Sequence, residues 1–324
     1  NHPSGRLSLI GITGTKGKTT ATYMTKAIFD AAQHRTGLIG TVANIIGDEI
    51  TFASRTTPES YDLQALLDEM CDRGLKHCVM EVSSQGLMLE RVYGCHFTSG
   101  IFTNLFHDHI GPTEHATMDD YLAAKLRLFT QCQHAVINRD IDCFSQVRAA
   151  VGGSCLTYGL TDQADIRAED IKKTTRHHRI GTSFNLQSPW YRGEVFVGMP
   201  GLFNVYNALA AIAAAGLEGV GLEAVRSSLS MISVPGRVQP VPTGRPFQVI
   251  VDYAHNAASL ENLLNTLREY TTGRLVVLFG NGGDRARSRR FEMGEVAGRL
   301  ADLTVITSDN PRTEEPLAII DDIL

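Results

Sequence analysis

A chain of 324 residues, 43% hydrophobic and 20% charged, is long enough to bury a sizeable core and implies two domains rather than one. Its 35 acidic residues outnumber 30 basic ones, and the net charge of −5 argues against a general nucleic-acid or anionic-membrane binder, which needs basic patches longer than the short clusters here. No run approaches the ~18 uninterrupted apolar residues of a membrane span. The six cysteines, Cys71, Cys78, Cys95, Cys132, Cys143 and Cys155, contain no Cys-x-x-Cys pair and read as free thiols of a cytoplasmic protein. The chain opens Asn1-His2-Pro3 with no signal-peptide pattern and no initiator Met, so an upstream segment is expected.

Residues 7–12 are an apolar run that reads as a buried strand, and residues 21–32 read as a helix. Between them stands Gly11-Ile12-Thr13-Gly14-Thr15-Lys16-Gly17-Lys18-Thr19-Thr20. A strand, a glycine-rich turn and a helix N-terminus together bind phosphate, because successive backbone N–H groups and the helix dipole face the anion. In that arrangement Lys18 reaches the β- and γ-phosphates and the Thr19 hydroxyl sits on Mg²⁺. The glycines stand at 11, 14 and 17, whereas a standard P-loop has its first glycine where Ile12 stands.

Up to about residue 151, strands alternate with helical patterns, the signature of βαβ units and a parallel sheet. Further strands are expected at 37–39, 77–82, 100–105 and 135–138, helices at 61–73 and 119–129, and a hairpin broken by Gly47-Asp48 at 42–52. Residues 154–197 read as antiparallel strands appended to this sheet. Helices follow at 202–216 and 222–231. The turn-rich stretch 235–242 reads as a hinge. A second alternation then places strands at 249–252, 275–279 and 303–307 and helices at 259–270 and 289–300. That is less than a doubly wound domain requires, so the second domain is expected to be truncated.

Glu81 ends the strand at 77–82, where the C-terminal edge of a parallel sheet meets its ligands, and could hold Mg²⁺ beside Thr19 or serve as an ordinary paired carboxylate. The next strand runs into Asn104-Leu105-Phe106-His107-Asp108-His109. His107 and His115 read as loop histidines, and Asp108 and His109 as the better placed candidates for a second metal. Lys125 alone reads as a solvated lysine.

Taken in order, Gly-Thr-Lys-Gly-Lys-Thr-Thr, Glu-Val-Ser-Ser, Asn-x-x-x-Asp-His, Ala-Ala-Lys-Leu-Arg-Leu-Phe, Asn-Val-Tyr-Asn-Ala-Leu-Ala-Ala, Pro-Gly-Arg and Asp-Tyr-Ala-His resemble the Mur ligase family of ATP-dependent, amide-forming enzymes of peptidoglycan synthesis. The resemblance runs from Gly11 to Arg312. It implies an α/β protein: a P-loop ATPase-like central domain over residues 1–237, with a mostly parallel sheet plus antiparallel strands, then a truncated Rossmann-like domain over 238–324. Gly14, Thr15, Lys16, Gly17, Lys18, Thr19 and Thr20 would bind ATP phosphates, Asn204 and Asn207 the adenine, Arg237 the γ-phosphate and Asp252 the ribose. Two Mg²⁺ ions would be held by Thr19, Glu81, His109 and Lys125, the last as a carbamate formed with CO₂. Lys18, Lys125, His109 and Arg237 would then be the catalytic set.

Two motifs resemble the branch that adds meso-diaminopimelate, the MurE-type ligases. Thr56 and Thr57 of Thr-Thr-Pro-Glu, with Ser83 and Arg91, would contact a UDP-sugar peptide. Asp309, Asn310 and Arg312, aided by Arg285, would hold the distal amino acid head, since an arginine fork suits a carboxylate. The chain departs from that branch at Gln85, Leu89, Gly111-Pro112-Thr113-Glu114, Ala286 and Phe291. The competing readings are a relative using L-lysine or another acceptor, such as folylpolyglutamate or cyanophycin synthetase, and a non-catalytic P-loop binder. A monomer with small-molecule substrates and no nucleic-acid partner is expected.

Overall fold

A computed structural model describes residues 2–111, 114–176 and 179–324. Asn1, and Pro112 and Thr113 of the departing loop, lie outside the described residues. The chain divides into two compact units, Asn1–Pro235 and Gly236–Leu324.

In the first unit the order is β1 (Ser8–Thr13), α1 (Lys18–Ala31), β2 (Thr36–Ile39), β3 (Ala43–Ile46), β4 (Glu49–Phe52), α2 (Ser60–Asp72), β5 (His77–Glu81), α3 (Ser84–Met88), β6 (Phe97–Phe102), α4 (Met118–Leu126), β7 (Cys132–Asn138), α5 (Phe144–Ala149), β8 (Ser154–Gly159), β9 (Ile166–Arg176), β10 (Arg179–Gln187), β11 (Arg192–Val197), α6 (Leu202–Leu217) and α7 (Leu222–Ser230). The strands form one sheet in the order β11-β10-β9-β8-β7-β6-β1-β5-β2-β3-β4. β1 lies near its middle between β5 and β6, parallel to both, and is buried from Leu9 to Thr13. Leu9 packs into a core with Leu63, Leu67 and Met70 of α2. Strand alternation puts Ile10 and Ile12, equally buried, on the other face, and α1 packs there with α6 and α7. α6 can be almost wholly interior because Ala208, Ala210, Ala211, Ala213, Ala214 and Ala215 present little bulk.

The appendage over 154–197 differs from the sequence pattern in its first part. β8 runs parallel to β7, and β9 meets β8 in parallel, while β9, β10 and β11 are antiparallel. The cause is α5, a six-residue helix unseen in the sequence pattern that carries the chain back across the sheet before β8. β9 pairs with β8 over two residue pairs only, Tyr158 with Ile166 and Gly159 with Arg167, so no second crossover is needed.

The second unit comprises β12 (Gln239–Val241), β13 (Val249–Val251), α8 (Ala257–Arg268), β14 (Val276–Phe279), α9 (Ser288–Leu300), β15 (Leu303–Ile306) and α10 (Pro316–Ile323). Part of the expected hinge is therefore strand, and β13 pairs antiparallel with it instead of extending a parallel sheet. Asp252 closes this ribbon by accepting from Val238 N at 2.8 Å. β14 and β15 are parallel. Leu260, Leu264, Val277, Met293, Val296 and Ala297 form the core between them and the helices α8 and α9.

Candidate active site

The turn between β1 and α1 requires glycine twice. Gly14 has φ +143°, and a Cβ there would lie 2.0 Å from Thr103 Oγ1; Gly17 has φ +88°, and its Cβ would lie 2.3 Å from Asn207 Oδ1. The segment following β6 braces the turn from outside: Thr15 N donates to Asn104 O at 2.9 Å, Lys16 N donates to Asn104 Oδ1 at 2.8 Å, and Thr103 Oγ1 donates to Lys16 O at 2.7 Å. Helix α1 starts at Lys18, three residues ahead of its sequence-based start. Lys18, Thr19 and Thr20 thereby form its first turn, where helical N–H groups have no intrahelical acceptor and can face phosphate. Asn204 and Asn207 lie buried on α6, linked by a 3.2 Å hydrogen bond.

Glu81 is 1% exposed. Its carboxylate accepts from Thr19 Oγ1 at 3.0 Å, Thr41 N at 2.8 Å and Thr41 Oγ1 at 3.1 Å. These partners are neutral, and no ion pair to Glu81 occurs among the described residues. A buried carboxylate without a countercharge, touching the P-loop hydroxyl, fits a hard divalent cation with oxygen ligands.

Lys125 is 1% exposed, correcting its reading as a solvated side chain. Its Nζ donates to Gly14 O at 2.8 Å and stands 4.2 Å from the Tyr121 ring centre. Lys18 Nζ donates to the same Gly14 O at 2.9 Å and to Thr15 O at 3.0 Å, so two lysines converge on one carbonyl. Burial, reinforced by Lys18 and opposed by Asp108, holds the Lys125 amine well below the usual lysine range. The unfolded chain protonates this amine up to the ordinary value of 10.5, whereas the folded chain releases the proton at lower pH. Burial of Lys125 therefore costs stability below that window, and stability recovers as pH rises through it. In CO₂-free buffer, Lys125→Met is expected to flatten the rise in urea midpoint between neutral and alkaline pH; an unchanged slope would assign that rise to other groups.

One cleft collects Lys18, Arg55, Thr56, Thr57, Ser83, Ser84, Arg91, His109, His115, Tyr121 and Lys125. Thr57 Oγ1 donates to Glu81 O at 3.0 Å and accepts from Ser83 N at 2.9 Å, tying the Thr-Thr-Pro-Glu stretch to the strand that carries Glu81. Arg91 is buried and bound to Glu59, with nitrogens 3.1 and 3.0 Å from its two carboxylate oxygens. His109 is exposed, with φ +56° and its Nδ1 2.8 Å from Glu114 Oε1. His107 is exposed, whereas His115 is 2% exposed with Nε2 2.9 Å from Ser84 Oγ, so only His107 remains an ordinary loop histidine.

The remaining candidates lie in the second unit. Arg237 stacks over the Tyr253 ring at 4.5 Å. Asp252 spends both carboxylate oxygens on backbone N–H groups, of Val238 and of Ala254, each at 2.8 Å. Val238 has φ +43°, a strained value for a β-branched residue that this bond holds in place. Arg285, Asp309, Asn310 and Arg312 are exposed, and Arg312 donates to Gly283 O.

Residues 12–215 match the Mur ligase middle domain, and residues 236–324 match the Mur ligase, glutamate ligase domain. The chain belongs to the Mur ligase family. It is 47% identical over 327 residues to UDP-N-acetylmuramoyl-L-alanyl-D-glutamate–2,6-diaminopimelate ligase 1 of Clostridium acetobutylicum, covering 100% of this chain and 67% of that protein. To the corresponding ligase of Caldanaerobacter subterraneus it is 46% identical, covering 99% and 65%. The chain thus spans about two thirds of the length of the curated relatives it matches. A solved structure of a UDP-N-acetylmuramoyl-L-alanyl-D-glutamate–2,6-diaminopimelate ligase superposes with a TM-score of 0.75 at 33% identity, covering 98% of this chain and 65% of that one. The folylpolyglutamate synthase of Mycobacterium tuberculosis shares the fold, with a TM-score of 0.76 at 18% identity, covering 99% of this chain and 79% of that one.

Mur ligases are ATP-dependent and use Mg²⁺. The Thr19 and Glu81 oxygens fit one such ion. His109 keeps Nε2 for a second, but an ammonium at Lys125 cannot ligate a cation, so this lysine joins the set only as a carboxylate-like derivative. Sequence reasoning passed over two residues here. Tyr121 stands four residues before Lys125 on α4, a same-face spacing, and its hydroxyl donates to Thr15 Oγ1 at 3.2 Å. Burial pushes that hydroxyl up to about 12, which keeps it a donor. Thr41 follows β2 at the same sheet edge as Glu81, and that position was its only signal.

Proposed function

We propose that this chain carries the ATP-binding and amino-acid-adding parts of a ligase that joins meso-diaminopimelate to UDP-N-acetylmuramoyl-L-Ala-D-Glu. The observation that carries the reading is the convergence of buried Lys125 and Lys18 on Gly14 O, in the cleft that also holds Thr57, Ser83 and Arg91. The acceptor carboxylate attacks the γ-phosphorus of ATP to give an acyl phosphate and ADP. The incoming amine then adds to the acyl carbon, and the tetrahedral intermediate expels phosphate. The protein acts chiefly by positioning reactants and offsetting charge.

In this scheme the N-terminal amides of α1 and Lys18 grip the transferred phosphate and Asn204 and Asn207 read the adenine, while in the second unit Arg237 and Asp252 keep the nucleotide roles that the family resemblance implies. Thr57 and Ser83, with Thr56 and Arg91, orient the acceptor. Thr19 and Glu81 would hold one Mg²⁺ and His109 with a derivatised Lys125 a second, and these ions would supply neutralising charge to the phosphates. For that, the neutral Lys125 amine would add to CO₂, forming an N–C bond and releasing one proton, to leave a carbamate whose two oxygens share one negative charge. The depressed basicity of Lys125 supports this step, because only the unprotonated amine is nucleophilic.

Phosphate release by the full-length protein, assayed across a panel of amino acids with the UDP-sugar dipeptide, tests the reading. The expected result is selective turnover with meso-diaminopimelate; preference for L-lysine or glutamate would overturn it. Arg312→Ala should raise KM for diaminopimelate about 10-fold or more, the scale of a lost charge-assisted bidentate contact, while KM for ATP moves little. Equal changes in both constants would remove Arg312 from the amino acid site.

A further inference from the structure

Two non-glycine residues of the second unit hold left-handed backbone on facing loops. Asp284, after β14, and Arg312, after β15, both have φ +53°. A side chain is disfavoured in that region, and such strain persists where the surrounding structure enforces it, commonly at ligand clamps. Both loops leave the C-terminal ends of parallel strands, where open α/β sheets take ligands. They touch backbone to backbone: Gly283 N donates to Asn310 O at 3.1 Å, and a Cβ on Gly283 would lie 1.9 Å from Pro311 O. Arg312 lays its guanidinium across the first loop and donates to Gly283 O.

One carboxylate ties this pairing together. Glu314 Oε1 accepts from Asp284 N at 2.6 Å and from Arg290 Nη2 at 2.6 Å. Thr313 Oγ1 adds a bond to Asp284 Oδ1 at 2.6 Å. Arg290 stands on α9, is 3% exposed, and donates from Nη1 to Asp322 Oδ2 of α10 at 2.9 Å. The buried fork of Arg290 therefore fixes Glu314 from the interior of the unit, and Glu314 fixes both turns. A buried ion pair adds little net stability, since its charges leave water, but its geometry is demanding. Along the same turns Arg285, Asp309, Asn310 and Arg312 are exposed.

Resting on the ligase reading, we propose that Arg290 is a positioning residue for the incoming amino acid. Acting through Glu314, it holds the 283–285 turn against the 310–312 turn and so sets Arg285 and Arg312 for one ligand carboxylate. Arg290 itself touches no substrate. Without its bond to Glu314 the two turns relax, and the arginines lose their common target while β14 and β15 stay paired.

The test is steady-state kinetics and thermal melting of full-length Arg290→Lys, Glu314→Gln and the double variant. Lysine keeps the charge but cannot span Glu314 and Asp322 together; glutamine keeps an acceptor for Asp284 N without the ion pair. Each single variant should raise KM for meso-diaminopimelate about 10-fold, the scale of one lost charge-assisted hydrogen bond, with kcat and KM for ATP within about twofold. The double variant should raise it no further than the worse single one, because both residues act through one bond. Should Arg290→Lys fail to fold, Thr313→Val on the surface breaks the tie to Asp284 and should raise the same KM about threefold in a folded protein. A KM for diaminopimelate within about twofold of wild type in Glu314→Gln, multiplying effects in the double variant, or a fall in melting midpoint with equal losses for every substrate would overturn the assignment. Wild-type protein inactive with every diamino acid would sink the ligase reading and this inference together; an active wild type with indifferent variants would sink this inference alone.

Discussion

Lys125→Ala is expected to lower turnover by about three orders of magnitude or more, the scale of removing a preorganised charge from a transition state, while leaving most of the affinity for ATP. The two parts of the expectation rest on different groups. Nucleotide affinity is expected to rest on the first turn of α1, on Lys18 and on the glycines at 14 and 17; when the Lys125 bond to Gly14 O is lost, Asn104 and Thr103 still brace that turn through Lys16. In the proposed scheme, turnover depends on the carboxylate-like oxygens that a carbamate at Lys125 would bring to the cleft. Small carboxylates such as formate or acetate should therefore restore part of the activity to the alanine variant, entering the space left by the side chain. Intact-mass measurement of the wild type under CO₂ should show a labile adduct that the variant lacks. Unaltered activity of the variant would eliminate the carbamate, and loss without chemical rescue or adduct would reduce Lys125 to a brace on Gly14.

Glu81→Gln should raise the Mg²⁺ concentration for half-maximal activity about 10- to 100-fold, the usual scale for disturbing a metal's ligand environment. Glutamine is nearly isosteric and can still accept from Thr41 N, so the protein should stay folded and the melting midpoint nearly constant. What is removed is the charge, which the neutral partners Thr19 and Thr41 leave uncompensated in a buried position. Titration of activity against Mg²⁺ at saturating ATP reads the effect directly. An unchanged Mg²⁺ dependence would make Glu81 a scaffold for the two threonines and no ligand.

The two substitutions also mark how far the site was legible in the sequence. Glu81 could be suspected because a strand end announces itself: the apolar run stops, and the edge it reaches is where ligands collect. Lys125 could not be singled out on physical grounds, because a lysine on an amphipathic helix is solvated by default. Its burial depends on Gly14, 111 residues away, and on the Tyr121 ring. The resemblance to a family supplied that residue where periodicity could not. His115 was misjudged for a similar reason, since Ser84, which holds it, lies 31 residues earlier on another element.

Most strand and helix positions, the glycine-rich turn and the break near residue 235 were written locally, in apolar periods and in Gly and Pro punctuation, and the sequence by itself determined them to within a few residues; the short helices α3 and α5 left no such signal. The direction of β8, the ribbon of β12 and β13, the pairing of Arg91 with Glu59 and the meeting of Lys18 with Lys125 were decided only by tertiary structure. Each depends on which distant segment packs alongside, and a hydrogen bond or ion pair between remote residues leaves no period in the chain. Even Gly11, out of step with a standard P-loop, is explained this way: it lies inside β1, where a Cβ would come 2.8 Å from the Phe97 ring.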